Sequence, residues 1–169
     1  LKSSFLSRIA YYRNTGSPEK PRFTFVTDDL AGASVLKTRG LFPAVADLDL
    51  DGIPDLVTGC QDGTLLFFKG LNPSGGIPAF DPPVINWQQI DVGHYSTPFL
   101  FDLDQDQLTD LIIGERNGNL NYYRNTGTAV NPAFTLVTDS LGKINVTNPN
   151  LSWYGFSTPC LIKGNDNSI

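Results

Sequence analysis

The stretch that decides the fold is Asp47-Leu48-Asp49-Leu50-Asp51-Gly52-Ile53-Pro54-Asp55. Carboxylates stand at positions 1, 3, 5 and 9 of this run. Alternating aspartates in a tight loop converge on one point, and the pattern predicts that Leu48 and Leu50 between them turn away into a core. Gly52 at position 6 permits the sharp turn, and the carbonyl of Ile53 at position 7 is placed to face the same point. This is the ligand pattern of an oxygen-coordinated Ca²⁺ loop. An EF-hand is excluded, because position 12 is Thr58 rather than Glu and the flanks read as strands. Four aspartates so close together repel one another unless a cation compensates them.

The run recurs 55 residues later as Asp102-Leu103-Asp104-Gln105-Asp106-Gln107-Leu108-Thr109-Asp110. All four aspartates are kept, but Gln107 replaces the glycine, which predicts a less comfortable turn and weaker binding. The expected ligands are Asp47, Asp49, Asp51, Ile53 and Asp55 in the first loop, and Asp102, Asp104, Asp106, Leu108 and Asp110 in the second. The cofactor expectation is about two Ca²⁺ per chain. At the third equivalent place, Lys163-Gly164-Asn165-Asp166-Asn167-Ser168, a lysine stands where the first aspartate belongs, and no metal is expected.

The same spacing runs through the rest of the chain. Tyr11-Tyr12-Arg13-Asn14-Thr15-Gly16 returns as Tyr122-Tyr123-Arg124-Asn125-Thr126-Gly127, 111 residues on, with a weaker copy at Phe67-Phe68-Lys69-Gly70 between them. Such self-similarity marks a repeat architecture. One period holds four predicted strands: Pro43–Asp47, Asp55–Gly59, Thr64–Lys69 and Val84–Ile90, the last two matched by Leu120–Arg124 and Phe134–Thr138. The Asp62-Gly63 and Asn117-Gly118 pairs predict hairpin turns with both central residues at positive φ. Continuous apolar runs such as Leu65-Leu66-Phe67-Phe68 predict sheets buried on both faces. The fold class is therefore all-β, built of β-propeller blades of four antiparallel strands. A β-sandwich explains the strands but not the period. The expected units are the end of a blade over 1–34, full blades over 35–90 and 91–140, and the start of a blade over 141–169, with Gly155–Ile162 restarting a first strand. Two full blades do not close a ring, so the expected partners are the remaining blades of a longer parent or further copies of the chain.

The net charge of −5 argues against nucleic acid as a partner. Eight of the 17 acidic residues lie in the two loops, so the acidity is mostly a metal-site signature. No apolar run is long enough for a helix to span a bilayer, and no secretory leader is legible at Leu1-Lys2-Ser3-Ser4. The chain reads as a processed piece of something longer. Cys60 and Cys160 read as two unpaired, buried thiols, with a disulfide between them as the alternative.

The segment Pro43–Gly59, with its D-x-D-x-D-G-x-x-D-L element, resembles the FG-GAP/VCBS repeat of integrin-α-type β-propellers, and Thr97–Gly114 resembles it too. The likeness covers most of the chain. It implies a propeller with Ca²⁺ in the hairpin loop between the first two strands of a blade, and a secreted or cell-surface setting. Gln107 and Lys163 depart from the pattern.

His94 is the sole histidine and reads as polar surface. No G-x-S-x-G, H-E-x-x-H or Cys/His cluster is present, so no catalytic constellation is visible. Trp87, Trp153 and Tyr154 read mainly as filling between blades, with stacking on sugar rings as the other use of such faces. The expected function is a non-catalytic scaffold or adhesion module with a protein or carbohydrate ligand. The alternative is the propeller of a polysaccharide-degrading enzyme such as a lyase.

Overall fold

The computed structural model describes residues 6–161. Among the described residues the fold is all-β, its sheets are antiparallel, and none closes into a barrel. A two-stranded sheet, β1 (Tyr11–Asn14) and β2 (Phe23–Thr27), comes first. The second sheet holds β3 (Phe42–Ala46), β4 (Asp55–Gly59), β5 (Leu65–Phe68) and β8 (Val84–Ile85) in that order. Between β5 and β8 a separate hairpin forms from β6 (Gly70–Ser74) and β7 (Ile77–Phe80). The last sheet is an uninterrupted meander of β9 (Thr97–Phe101), β10 (Asp110–Gly114), β11 (Leu120–Asn125) and β12 (Phe134–Thr138).

All five residues of β4 and all five of β10 are buried, as apolar runs without alternation require. Alternate residues of β4 serve two cores. Val57 packs with Leu65, Trp87, Ile90, Leu111 and Ile113, joining the two four-stranded sheets face to face. Leu56 packs the other way, with Ile9, Ala33, Leu66 and Phe68. Trp87 is the main filler: it stacks on Phe67 of β5, ring centroids 4.9 Å apart, and meets Phe134 of β12 edge-on at 5.3 Å. Trp153, by contrast, is 82% exposed.

One joint recurs between units. The Ser96 hydroxyl, just ahead of β9, accepts from the Cys60 amide and donates to the Thr64 carbonyl in the turn of the preceding sheet. Ser157 makes the same bonds to Glu115 and Asn119. A Cβ on Gly59 would lie 1.8 Å from the Ser96 carbonyl oxygen, and one on Gly114 2.3 Å from that of Ser157. Only glycine allows backbones this close.

Four expectations are corrected. In the Asp62-Gly63 and Asn117-Gly118 turns only the glycines lie at positive φ, 91° and 90°; the Asp62 carboxylate instead accepts from the Thr64 amide and hydroxyl. The strand predicted over Val84–Ile90 ends at Ile85, because Asn86, Gln88 and Gln89 turn left-handed and fold Trp87 inward. Residues 155–161 form no strand, although Ser157 occupies the joint. Cys60 is buried, with its thiol pushed up to about 12 by that burial, whereas Cys160 is exposed; neither is in a disulfide.

Candidate metal centre

Each four-stranded sheet carries an aspartate loop between its first two strands, Asp47–Asp55 after β3 and Asp102–Asp110 after β9. The loops are neighbours: a crevice of about 10 Å³ is lined by Asp47 and Leu50 of one and Gln107 and Leu108 of the other. Carboxylate oxygens of Asp47, Asp49 and Asp51 lie within 4.8 Å of one another, and so do those of Asp102, Asp104 and Asp106.

Local hydrogen bonding forces this convergence. In the first loop Asp47 Oδ2 accepts from the Gly52 amide at 2.9 Å and Asp51 Oδ1 from the Ile53 amide at 2.9 Å. In the second, Asp102 Oδ2 accepts from the Gln107 amide at 2.9 Å and Asp106 Oδ1 from the Leu108 amide at 2.9 Å. These are side-chain turns of the kind short acidic residues form with their own backbone. Both loops pass twice through left-handed geometry, at Leu50 (φ 54°) and Gly52 (φ 84°), and at Gln105 (φ 62°) and Gln107 (φ 73°). The turn at Leu50 sends its side chain into solvent, 60% exposed, so only Leu48 of the two leucines reaches the core.

The four predicted aspartates of each loop divide three to one. Asp55 and Asp110 stand apart from the triads, buried, where they tie strands together. Asp55 accepts from the amides of Leu48 at 3.1 Å and Gly70 at 2.7 Å. Asp110 accepts from the amides of Leu103 and Asn125 and from the Tyr122 hydroxyl. Burial raises the Asp55 carboxyl above the usual carboxylate range, against the pull of its two amides. Ile53 and Leu108, the predicted carbonyl ligands, are fixed beside the triads by their amide bonds to Asp51 and Asp106.

The sequence reading missed a basic residue over each triad. Lys69 Nζ contacts Asp49 and lies 3.0 Å from Asp51. Arg124 lies 2.6 Å from Asp104 through Nε and 3.0 Å from Asp106 through Nη2. Lys69 first, and the Ile53 amide second, hold the Asp51 carboxyl below its ordinary value. For Asp106 the Leu108 amide comes first and Arg124 second. The aspartates in turn raise Lys69 and Arg124. The signal was in the repeat. β4 pairs with β5 so that Leu56 faces Phe68, and β10 with β11 so that Leu111 faces Tyr123. One step further along each ladder, the basic residue falls opposite the ninth position of the loop.

The triads offer only hard oxygen donors, which suit a hard divalent cation. The first loop carries one further feature. Asp47 Oδ1 is buried and has no hydrogen-bond partner, a costly state for a carboxylate oxygen that a cation relieves. In the second loop the corresponding Asp102 Oδ1 accepts from the Asp106 amide at 3.1 Å. Two aspartate triads able to hold a metal ion are therefore present, and the first is the better fit.

Comparison with protein-family models, curated proteins and solved structures returned no match.

Proposed function

We propose that this chain is a calcium-stabilised, non-catalytic segment of an FG-GAP/VCBS-like β-propeller, serving a secreted or cell-surface protein as a scaffold or adhesion module. The observation that carries the reading is the buried, unpartnered Asp47 Oδ1 within a converging aspartate triad. Asp47, Asp49 and Asp51 would hold one ion, and Asp102, Asp104 and Asp106 a second. Calcium would supply charge neutralisation there and fasten the loop that joins the first two strands. The stacked four-stranded sheets and the serine joint between units support the propeller part of the reading. Blades meet face to face and follow one another in the same way.

The test is elemental analysis together with thermal melting in calcium and in EDTA. The expected result is about two calcium ions per chain and a melting temperature that rises with free calcium. A calcium-free protein with an EDTA-insensitive melt would overturn the proposal. That outcome would favour a second reading carried by Lys69 and Arg124: the loops are closed by internal ion pairs, and the scaffold needs no metal.

A further inference from the structure

The end of the sheets away from the aspartate loops carries a different chemistry. A shallow, open depression of about 370 Å³ lies there, lined by Lys37, Thr38, Arg39, Gln61, Asp62 and His94, of which only Thr38 and Gln61 are partly buried. Two of the chain's 12 cationic residues and its one histidine converge on it. Among the described residues, Lys37 and Arg39 make no ion pair, unlike Arg8, Lys69 and Arg124.

The walls of the depression are built by the repeat and fixed by backbone bonds. The Gln61 amide donates to the Arg39 carbonyl at 2.9 Å, and the Arg116 amide donates to the His94 carbonyl at 3.0 Å. Arg39 and His94 thus hold equivalent places ahead of successive sheets. The strand lead-in is stitched down on its other side, with the Ser7 amide donating to Thr38 O at 3.2 Å and the Gly40 amide to Ser7 Oγ at 2.9 Å. Lys37 sits in left-handed geometry at φ 51°, its amide bonded to Ser34 O.

The lining selects a ligand class. Lys37 and Arg39 against Asp62 leave one formal positive charge, which matches a monoanion. Both turn bonds to Asp62 fall on Oδ1, which leaves Oδ2 without a turn bond and able to accept from a ligand hydroxyl. Thr38 and Gln61 add neutral donors and acceptors. We infer that this depression binds an acidic sugar, its carboxylate on Lys37 and Arg39 and its hydroxyls on Asp62 and Gln61. No aspartate-loop residue takes part, so the inference stands independently of calcium.

The experiment is an NMR titration of the full chain with galacturonate, galactose and acetate. Galacturonate is expected to shift the Gln61 and His94 amide signals, with galactose and acetate each binding about tenfold more weakly or worse. The K37M/R39M double variant is expected to lose galacturonate binding by about tenfold or more while melting like the wild type, since both side chains are exposed. Galactose or acetate binding as tightly as galacturonate would overturn the inference. So would shifts confined to other parts of the chain, or undiminished binding by the folded variant.

Discussion

The two aspartate loops share a backbone path and differ in how their charge is satisfied. In Asp47–Asp55 a glycine makes the second left-handed turn, and one carboxylate oxygen is left buried without a partner. In Asp102–Asp110 a glutamine is held at nearly the same φ, and the corresponding oxygen is taken by the Asp106 amide. Its buried ninth-position aspartate also gains a third donor, the Tyr122 hydroxyl. The first loop is the better cation site; the second satisfies more of its own carboxylates. The same ligand pattern in sequence thus gives unequal sites, because the atoms around the aspartates, and not the aspartates alone, set the balance.

The largest effect that separates the loops lies at their ninth positions. Asp110→Ala leaves two amides and a hydroxyl without their acceptor, and a loss of about 3–4 kcal/mol is expected. Asp55→Ala strands two amides, for about 2–3 kcal/mol. Urea unfolding of both variants in EDTA measures the difference; equal losses would show that the Tyr122 bond adds nothing. Next comes affinity. Calorimetry should resolve a tighter and a weaker calcium event about tenfold apart, the size of roughly one buried polar contact. Asp47→Asn should remove the tighter event and Asp102→Asn the weaker one, and the reverse assignment would break the comparison.

A smaller effect concerns the turn itself. Gln107→Gly relieves a side chain held at φ 73° and should stabilise the fold by about 0.5–1 kcal/mol, whereas Gly52→Ala should cost about 1 kcal/mol. A Cβ at Gly52 meets nothing within 4 Å, so that cost is conformational and not steric. Thermal melts of the two variants moving in the same direction would refute the argument.

The smallest effect is in acid titration. Asp51 and Asp106 are both lowered from an ordinary value of 3.8. Their contribution to stability is therefore full above that value and is lost as pH falls through the lowered one. Asp55 is raised and has the opposite sign, gaining stability as pH falls below its raised value. Lys69→Met should raise Asp51 toward its ordinary value by removing the largest cause of its lowering. Arg124→Met should move Asp106 less, because an amide is the larger cause there. Carboxyl-carbon NMR titration without calcium reads both, and a larger shift at Asp106 would contradict this ordering.

Much of the fold was legible because the repeat and the apolar runs are local. Asp55–Gly59 and Phe134–Thr138 form strands with the predicted bounds. What escaped depends on pairing across the chain. No strand is predicted between Thr64–Lys69 and Val84–Ile90, yet Gly70 pairs with Phe80 and Leu71 with Ala79 in a hairpin there. The left-handed turns at Asn86, Gln88 and Gln89 carry no glycine to announce them. At the site, the triad aspartates were visible from spacing alone, but the separate role of Asp55 and Asp110 was not. An aspartate in sequence does not reveal whether its oxygens meet a cation or two backbone amides.

The serine joint has a consequence for how such a chain can grow. Ser96 reaches back 36 residues to Cys60, and Ser157 reaches back 42 to Glu115. The joint tolerates that difference because both of its halves, a glycine ending the second strand and a serine beyond the last strand of the same sheet, recur in each copy, Gly59 with Ser96 and Gly114 with Ser157. The coupling therefore comes with each copy of the repeat, and the stretch between its halves differs in length from one unit to the other. The β6–β7 hairpin falls in the unit with the shorter spacing, so the joint forms both where the connection before the last strand carries a hairpin and where it does not.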